Sequence, residues 1–194
     1  MFKLACVGLV TGLLVFLPAR AAEPLPPVQT YKMVREKSAL KFVANTGSDQ
    51  VKGTFEQFTL DVAFDPERLA ESHIRVEVDT GSAHVDDAKM QAALLTSEWL
   101  NAEAAPKAIF VSESIDHIPN TRDYYAKGNL TLRGIKKPVT INFRQDFSDE
   151  NAVVISGFST LQRNDFGVGQ GEWRQDDKVK YAVRVEFRIH ALKQ

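Results

Sequence analysis

Residues 128–143 read GNLTLRGIKKPVTINF. Leu130 and Leu132 alternate with Asn129, Thr131 and Arg133, and Val139, Ile141 and Phe143 alternate with Thr140, Asn142 and Arg144. Successive side chains on a strand face opposite sides, so each half reads as a strand with one apolar and one wet face. Gly134 to Pro138 lies between them and supplies turn chemistry. Pro138 then opens the second strand, where a missing N–H is tolerated. This predicts an antiparallel hairpin belonging to a larger sheet.

The same period recurs on both sides of the hairpin. Tyr31–Arg35 and Ala39–Asn45 are short strand candidates. Gly53 opens a long strand with Phe58, Leu60, Val62 and Phe64 on one parity, closed by Asp65-Pro66. His73–Gly81 alternates Ile74, Val76 and Val78 with polar residues. Lys107–Ile118 is a strand of mixed parity, Val153–Leu161 another, and Val183, Val185, Phe187 and Ile189 mark the last. Only Asp86–Leu100 changes to a helical period, with Met90, Ala93, Leu94 and Ser97 on one face and Asp86 or Asp87 as N-cap. Many strands at hairpin-like intervals with one inserted helix predict an all-β antiparallel barrel of about eight strands.

The first 21 residues read as a leader. Lys3 precedes the apolar run Leu4–Leu17, Pro18 breaks it, and Ala19-Arg20-Ala21 supplies small residues for cleavage near Ala21. The run is shorter than the ~20 residues of a membrane span. Losing Lys3 and Arg20 leaves 22 basic residues against 25 acidic ones, a net charge of −3. Such a surface gives no electrostatic reason to expect nucleic acid as a partner. The single cysteine, Cys6, leaves with the leader, so the exported chain is held together by its core alone. Residues 22–30 form a Pro-rich lead-in and 31–194 the barrel domain.

Alternation alone fits two barrels. An outer-membrane barrel turns its apolar face to lipid and needs aromatic girdles, whereas here 2 Trp and 4 Tyr are scattered. The reading favours a water-soluble barrel with the apolar face inside. Such a barrel can be packed solid or hold a small ligand. The long strands argue for a hollow, in which burying roughly twenty ligand carbons would contribute ~16 kcal/mol gross. Its wall would draw on Phe58, Leu60, Phe64, Leu130, Leu132, Ile141, Phe143, Phe158 and Phe187, with Leu94 and Trp99 near a lid. Arg163 and Arg174 flank the glycine-rich segment 167–171 and are candidates for meeting a polar head group. Both are also ordinary structural arginines by residue type.

Catalytic parts are missing. His73, His84, His117 and His190 stand in separate segments without metal-ligand spacing. His84 with Asp86 and Asp87 is the nearest approach to a metal cluster, and no metal is expected. No serine or cysteine has a partner that would make it a nucleophile.

Several motifs together resemble the YceI-like family of exported bacterial proteins. They are Gly53-Thr54-Phe55, Asp61-Val62-Ala63-Phe64-Asp65, and Ser97-Glu98-Trp99-Leu100-Asn101 ahead of Pro106-Lys107-Ala108-Ile109-Phe110. Gly128-Asn129-Leu130-Thr131-Leu132-Arg133-Gly134 with Pro138-Val139, and Arg163-Asn164-Asp165-Phe166-Gly167, complete the set. The resemblance implies a lipocalin-like barrel enclosing a long polyisoprenoid, such as a polyprenyl quinone or polyprenyl phosphate, often as a homodimer. The family is not clearly catalytic. By analogy with some relatives it also implies a cytochrome b561-type membrane partner. The chain departs from the common family pattern at Val85–Leu95, beside the expected barrel mouth. The expectation is therefore a periplasmic, non-catalytic isoprenoid carrier with no cofactor beyond its bound lipid. Its rivals are an enzyme acting on such a lipid and a ligand-free barrel used for protein contacts.

Overall fold

The computed structural model describes residues 25–47, 49–147 and 151–194. The expected leader and Cys6 lie outside the described residues. The described residues form one antiparallel sheet of eleven strands. They are β1 (Tyr31–Met33), β2 (Ala39–Thr46), β3 (Asp49–Phe55), β4 (Phe58–Ala63), β5 (His73–Asp79) and β6 (Ala83–Val85), then β7 (Lys107–His117), β8 (Asp123–Leu132), β9 (Ile135–Phe147), β10 (Ala152–Gln162) and β11 (Ala182–Lys193). One helix, α1 (Ala88–Leu94), falls between β6 and β7. Neighbours follow the order β4-β5-β7-β8-β9-β10-β11-β2-β3-β6, and β1 lies beside β11.

That order closes on itself. β3 and β4 stand near its opposite ends yet are separated in the chain only by Glu56 and Gln57. The single strand expected from Gly53 to Phe64 is thus two strands joined by a bend. The bend is held by Ser82, whose carbonyl accepts from the Glu56 N–H (3.1 Å) and whose hydroxyl oxygen accepts from the Gln57 N–H (2.9 Å). β1 and β2 follow one edge of β11, with a 3-10 turn at Arg35–Lys37 between them. On its far side this segment meets β4 through the Thr30–Ala63 bridge and a 2.9 Å bond from the Phe64 N–H to the Gln29 carbonyl. Counting each bent pair as one strand and setting aside the three-residue β6 leaves the eight expected.

β8 and β9 form the predicted hairpin with a tighter turn than expected. Leu132 pairs with Ile135, so the loop is Arg133-Gly134, and both residues have positive φ (54° and 78°). Two such residues match the right-handed twist of paired strands, and glycine adopts that conformation without steric cost. Pro138 consequently lies inside β9, opposite Asn129. Hydrogen-bonded and non-bonded pairs alternate outward from the turn, which puts Asn129–Pro138 at a non-bonded pair. The other edge of β9 meets β10 only from Asn142 onward. Pro138 therefore removes no ladder bond.

The mixed parity of β7 has a single cause. The β7–β8 register shifts between Ser112 and Ser114, leaving Glu113 as an extra residue. Phe110 before the bulge and Ile115 after it are both buried despite opposite parity.

The helix is shorter than the Asp86–Leu100 periodicity predicts. Asp87 caps α1, its Oδ1 accepting from the N–H groups of Lys89 (2.9 Å) and Met90 (2.8 Å). After Leu94 the chain leaves the helical path. The Thr96 hydroxyl donates to the Ala93 carbonyl, Leu100 N–H to the Leu94 carbonyl, and Asn101 turns left-handed at φ 53°. These local bonds compete with helix continuation and swing Trp99 and Leu100 onto the barrel. Among the described residues no helix is long and apolar enough to cross a membrane.

Candidate functional site

The inward side chains of the sheet surround a cavity of about 250 Å³. Its wall takes alternate residues from each strand. These include Leu40 and Phe42 on β2, Ile74, Val76 and Val78 on β5, Val139 and Ile141 on β9, and Val183, Val185 and Phe187 on β11. Eight phenylalanines line it, and their rings take up much of an interior that strand length alone would make larger.

Three of those rings lie across glycines on the neighbouring strand. A β-carbon at Gly53 would come within 2.2 Å of the Phe42 ring, one at Gly128 within 2.9 Å of Phe110, and one at Gly157 within 2.6 Å of Phe187. The missing side chains let the rings lie flat against the wall, which keeps the centre open.

One end of the cavity is floored by aromatic rings. Phe64 meets Tyr124 edge-on at 5.1 Å and Phe143 at 5.7 Å, and Tyr124 stacks on Phe143 at 5.4 Å. Burial pushes the Tyr124 hydroxyl above its ordinary pKa, so the floor is neutral. The other end is roofed by three segments: α1 with the turns that follow it, the β8–β9 turn, and the 163–181 loop. They are clasped at one atom. The Glu98 carbonyl accepts from the N–H groups of Gly169 (2.8 Å) and Gln170 (2.9 Å) and from Arg133 Nη1 (3.2 Å). Trp99 and Trp173 pack beside this clasp with centroids 5.6 Å apart.

The structure brings most of the expected wall together. Phe58, Leu60 and Phe64, Leu130 and Leu132, Ile141 and Phe143, and Phe187 all face the cavity, while Leu94 and Trp99 sit in its roof. Phe158 does not. On β10 the inward parity is that of Ile155, Ser159 and Leu161, which turns Phe158 outward under the Arg184 guanidinium, 3.8 Å from the ring centroid. Periodicity misses Phe166, Val168 and Val179, which the 163–181 loop folds back over the opening. Their signal was apolar residues inside a glycine-rich loop, where side-chain direction has no period to reveal it.

The two head-group candidates also separate. Arg174 is exposed and does not line the cavity. Arg163 lines it but is 3 % exposed and already occupied. Its Nη1 donates to the Val168 carbonyl (2.9 Å), its Nη2 to those of Gln175 and Val179 (both 2.7 Å), and its Nε reaches those of Val179 and Lys180 (both 3.2 Å). Gly169 leaves room for this guanidinium, since a β-carbon there would lie 2.4 Å from Nη1. Burial lowers the Arg163 pKa, opposed by Tyr181, Asp176 and Asp177 nearby. Arg163 thus stitches the roof loop together.

The remaining polar wall is small. The Ser159 hydroxyl donates to the Thr140 carbonyl (2.8 Å). The Trp99 indole N–H is buried and is the one such side-chain atom among the described residues without an acceptor. His84 lies 3.9 Å from Asp86, while Asp87 is taken up as the helix cap. Among the described residues no group of three or more His, Cys, Asp or Glu is placed to hold a metal.

Comparison with known proteins agrees with this architecture. The family model for the YceI-like domain matches residues 31–191. A UPF0312 protein of Yersinia enterocolitica is 30 % identical over 144 residues, covering 73 % of this chain and 71 % of that one. The crystal structure of Burkholderia cenocepacia BcnA is 25 % identical, with a TM-score of 0.77 over 82 % of this chain and 99 % of that one. A polyisoprenoid-binding domain from Saccharophagus degradans, implicated in plant cell wall breakdown, shares the fold at 11 % identity. Its TM-score is 0.63 over 87 % of this chain and all of that one. With its curled antiparallel sheet and a family match that reaches from β1 into β11, the chain belongs to the YceI-like family.

Proposed function

We propose that this protein is an exported, non-catalytic carrier that holds a polyisoprenoid lipid, a polyprenyl quinone or polyprenyl phosphate, inside its barrel in the periplasm. One observation carries the reading: a hollow of about 250 Å³ inside the curled sheet, lined almost wholly by apolar side chains, with Ser159 and Arg163 as its polar lining residues. An aliphatic chain entering it removes its own surface and that of the wall from water, at roughly 0.8 kcal/mol per CH₂ before ordering costs. The polyisoprenoid-binding domain of Saccharophagus degradans supports the ligand class through its shared fold. Export rests on the leader read in residues 1–21. A homodimer and a cytochrome b561-type membrane partner belong to the reading by analogy alone.

At about 250 Å³ the cavity lies just below the ~300–1,000 Å³ usual for small-molecule sites. In this reading a long prenyl chain threads past the aromatic rings and parts the roof. Solvent extraction of the purified protein followed by mass spectrometry is expected to release a prenyl lipid. Ile141→Glu, which places a charge on the wall, is expected to abolish retention in a protein that still melts cooperatively. An extract free of prenyl lipid, from protein that also fails to take one up when it is added, would leave the barrel as a dry scaffold.

A further inference from the structure

The barrel wall is incomplete on one side. The ladder between β9 and β10 runs from Phe147–Val153 to Asn142–Phe158 and stops there. Both strands continue toward the roof, β9 back to Ile135 along β8 and β10 on to Gln162 along β11. A side-chain bond crosses the gap between these stretches, from the Ser159 hydroxyl to the Thr140 carbonyl (2.8 Å). The sequence builds the gap in. Pro138 stands at a non-bonded pair with Asn129, so the N–H it lacks would have pointed at β10. Pro138 and its neighbours Lys136 and Lys137 are exposed. Proline and lysine on an open edge keep it from pairing with another strand.

The gap leads straight to the hollow. Val139 and Ile141 on one side of it, and Ser159 and Leu161 on the other, all line the cavity. The 3-10 turn Arg163–Phe166 packs against β9 here. Phe166 is buried and faces the cavity. A β-carbon at Gly167 would rest in ordinary contact with the half-exposed Ile135 side chain, 3.7 Å from its Cδ1. Side-chain packing, rather than a backbone ladder, closes this part of the wall. An opening between paired strands would break ladder bonds. Lifting the roof would break the three hydrogen bonds at the Glu98 carbonyl and withdraw Trp99.

We propose that the β9–β10 gap is a side portal, through which a prenyl chain slides into and out of the hollow when Phe166 and Ile135 swing aside and the Glu98 clasp stays shut. The Ser159–Thr140 bond is its latch. This rests on the carrier reading above and gives it a route: the roof parts at its β9 edge alone.

The test measures exchange of geranylgeraniol, a neutral prenyl chain, with the full mature protein stripped of lipid. Continuing the β9–β10 register puts Thr140 opposite Thr160, and both are exposed. The double variant Thr140→Cys/Thr160→Cys places a disulfide across the gap, in a chain whose one natural cysteine, Cys6, lies in the expected leader. Oxidised, it should take up and release the probe about a hundredfold more slowly, roughly fivefold for each hydrogen bond at Glu98 that the remaining route must break. Uptake and release slow alike, so affinity stays the same, and reducing the bridge restores the wild-type rates. Ser159→Ala, which removes the latch, should speed both by about fivefold. Wild-type rates with the bridge verified by mass spectrometry would overturn the portal while leaving the carrier reading intact. So would wild-type rates in Ser159→Ala where the cysteine pair does not oxidise. A wild type that takes up no geranylgeraniol would overturn both.

Discussion

At Gly157 a β-carbon would lie 2.2 Å from the Asn142 carbonyl oxygen as well as 2.6 Å from the Phe187 ring. The first contact is with backbone, which cannot step aside without disturbing the β9–β10 ladder. Gly157→Ala is therefore expected to cost about 1–3 kcal/mol, the usual penalty of overpacking. Because Phe187 must then stand up into the lumen, lipid retention should fall further than stability does. Chemical denaturation and extraction on the same variant measure the two effects. The site residues were legible wherever one strand parity was apolar and the other polar, as on β8, β9 and β11. Phe158 shows where that failed. Val153, Ile155 and Leu161 on one parity compete with Val154 and Phe158 on the other, and nothing local says which set points inward. The Arg184 guanidinium that covers the Phe158 ring comes from β11, a neighbour that alternation on a single strand cannot identify. Arg163 could be seen as a candidate, but its role depends on carbonyls as far away as Lys180, so it read equally well as head-group ligand or structural arginine.

Strands and turns carry a different kind of information. The hairpin was legible because each of its halves alternates cleanly. Its turn was misplaced because Gly134 and Pro138 both signal a turn, and only the register of Leu132 with Ile135 decides between them. The helix was overextended because Met90 through Trp99 keep a helical spacing even where Thr96 and Asn101 divert the backbone. The extra residue in β7 is the most consequential local feature. Glu113 lets Phe110 and Ile115 share the inner side, and its carboxylate accepts from the Asn129 side chain across the ladder. Deleting Glu113 would remove the bulge and keep Phe110 opposite Leu130 and Ile115 opposite Ala126, both still on the inner side. A one-residue slip exchanges the two faces of a strand, so inserting a further residue after Glu113 is expected to prevent cooperative unfolding, while the deletion is expected to retain it. Glu113→Ala, which keeps the residue count, should also fold with only a small loss. Thermal melts followed by circular dichroism tell the insertion from the other two.

For the whole molecule, charge sets the response to acid. Three carboxylates are held below their usual range. Asp123 is held chiefly by Arg144, whose Nε and Nη2 donate to it at 2.7 and 2.9 Å. For Glu77 the main cause is Lys107, and for Asp65 it is the Glu67 N–H followed by Arg68. In the unfolded chain these groups titrate near 4. Above that pH they are charged in both states, and their contribution is fully present. As pH falls through the unfolded values, the unfolded chain takes up protons first and stability drops, until the folded groups protonate as well. Denaturation midpoints should stay level from about pH 7 to 5 and decline below about 4, with a shallower decline in Asp123→Asn. The groups are exposed, so the slope is expected to be gentle.

The seam of the barrel has a consequence in time. Tyr31 pairs with Lys193 and Met33 with Ala191, so the first strand of the described residues takes the last one as its neighbour. Loops of that span close slowly. During synthesis, the half-made sheet would hold an oily trough open to water until β11 arrives. Its guest has no complete wall before Ala182–Lys193 is in place.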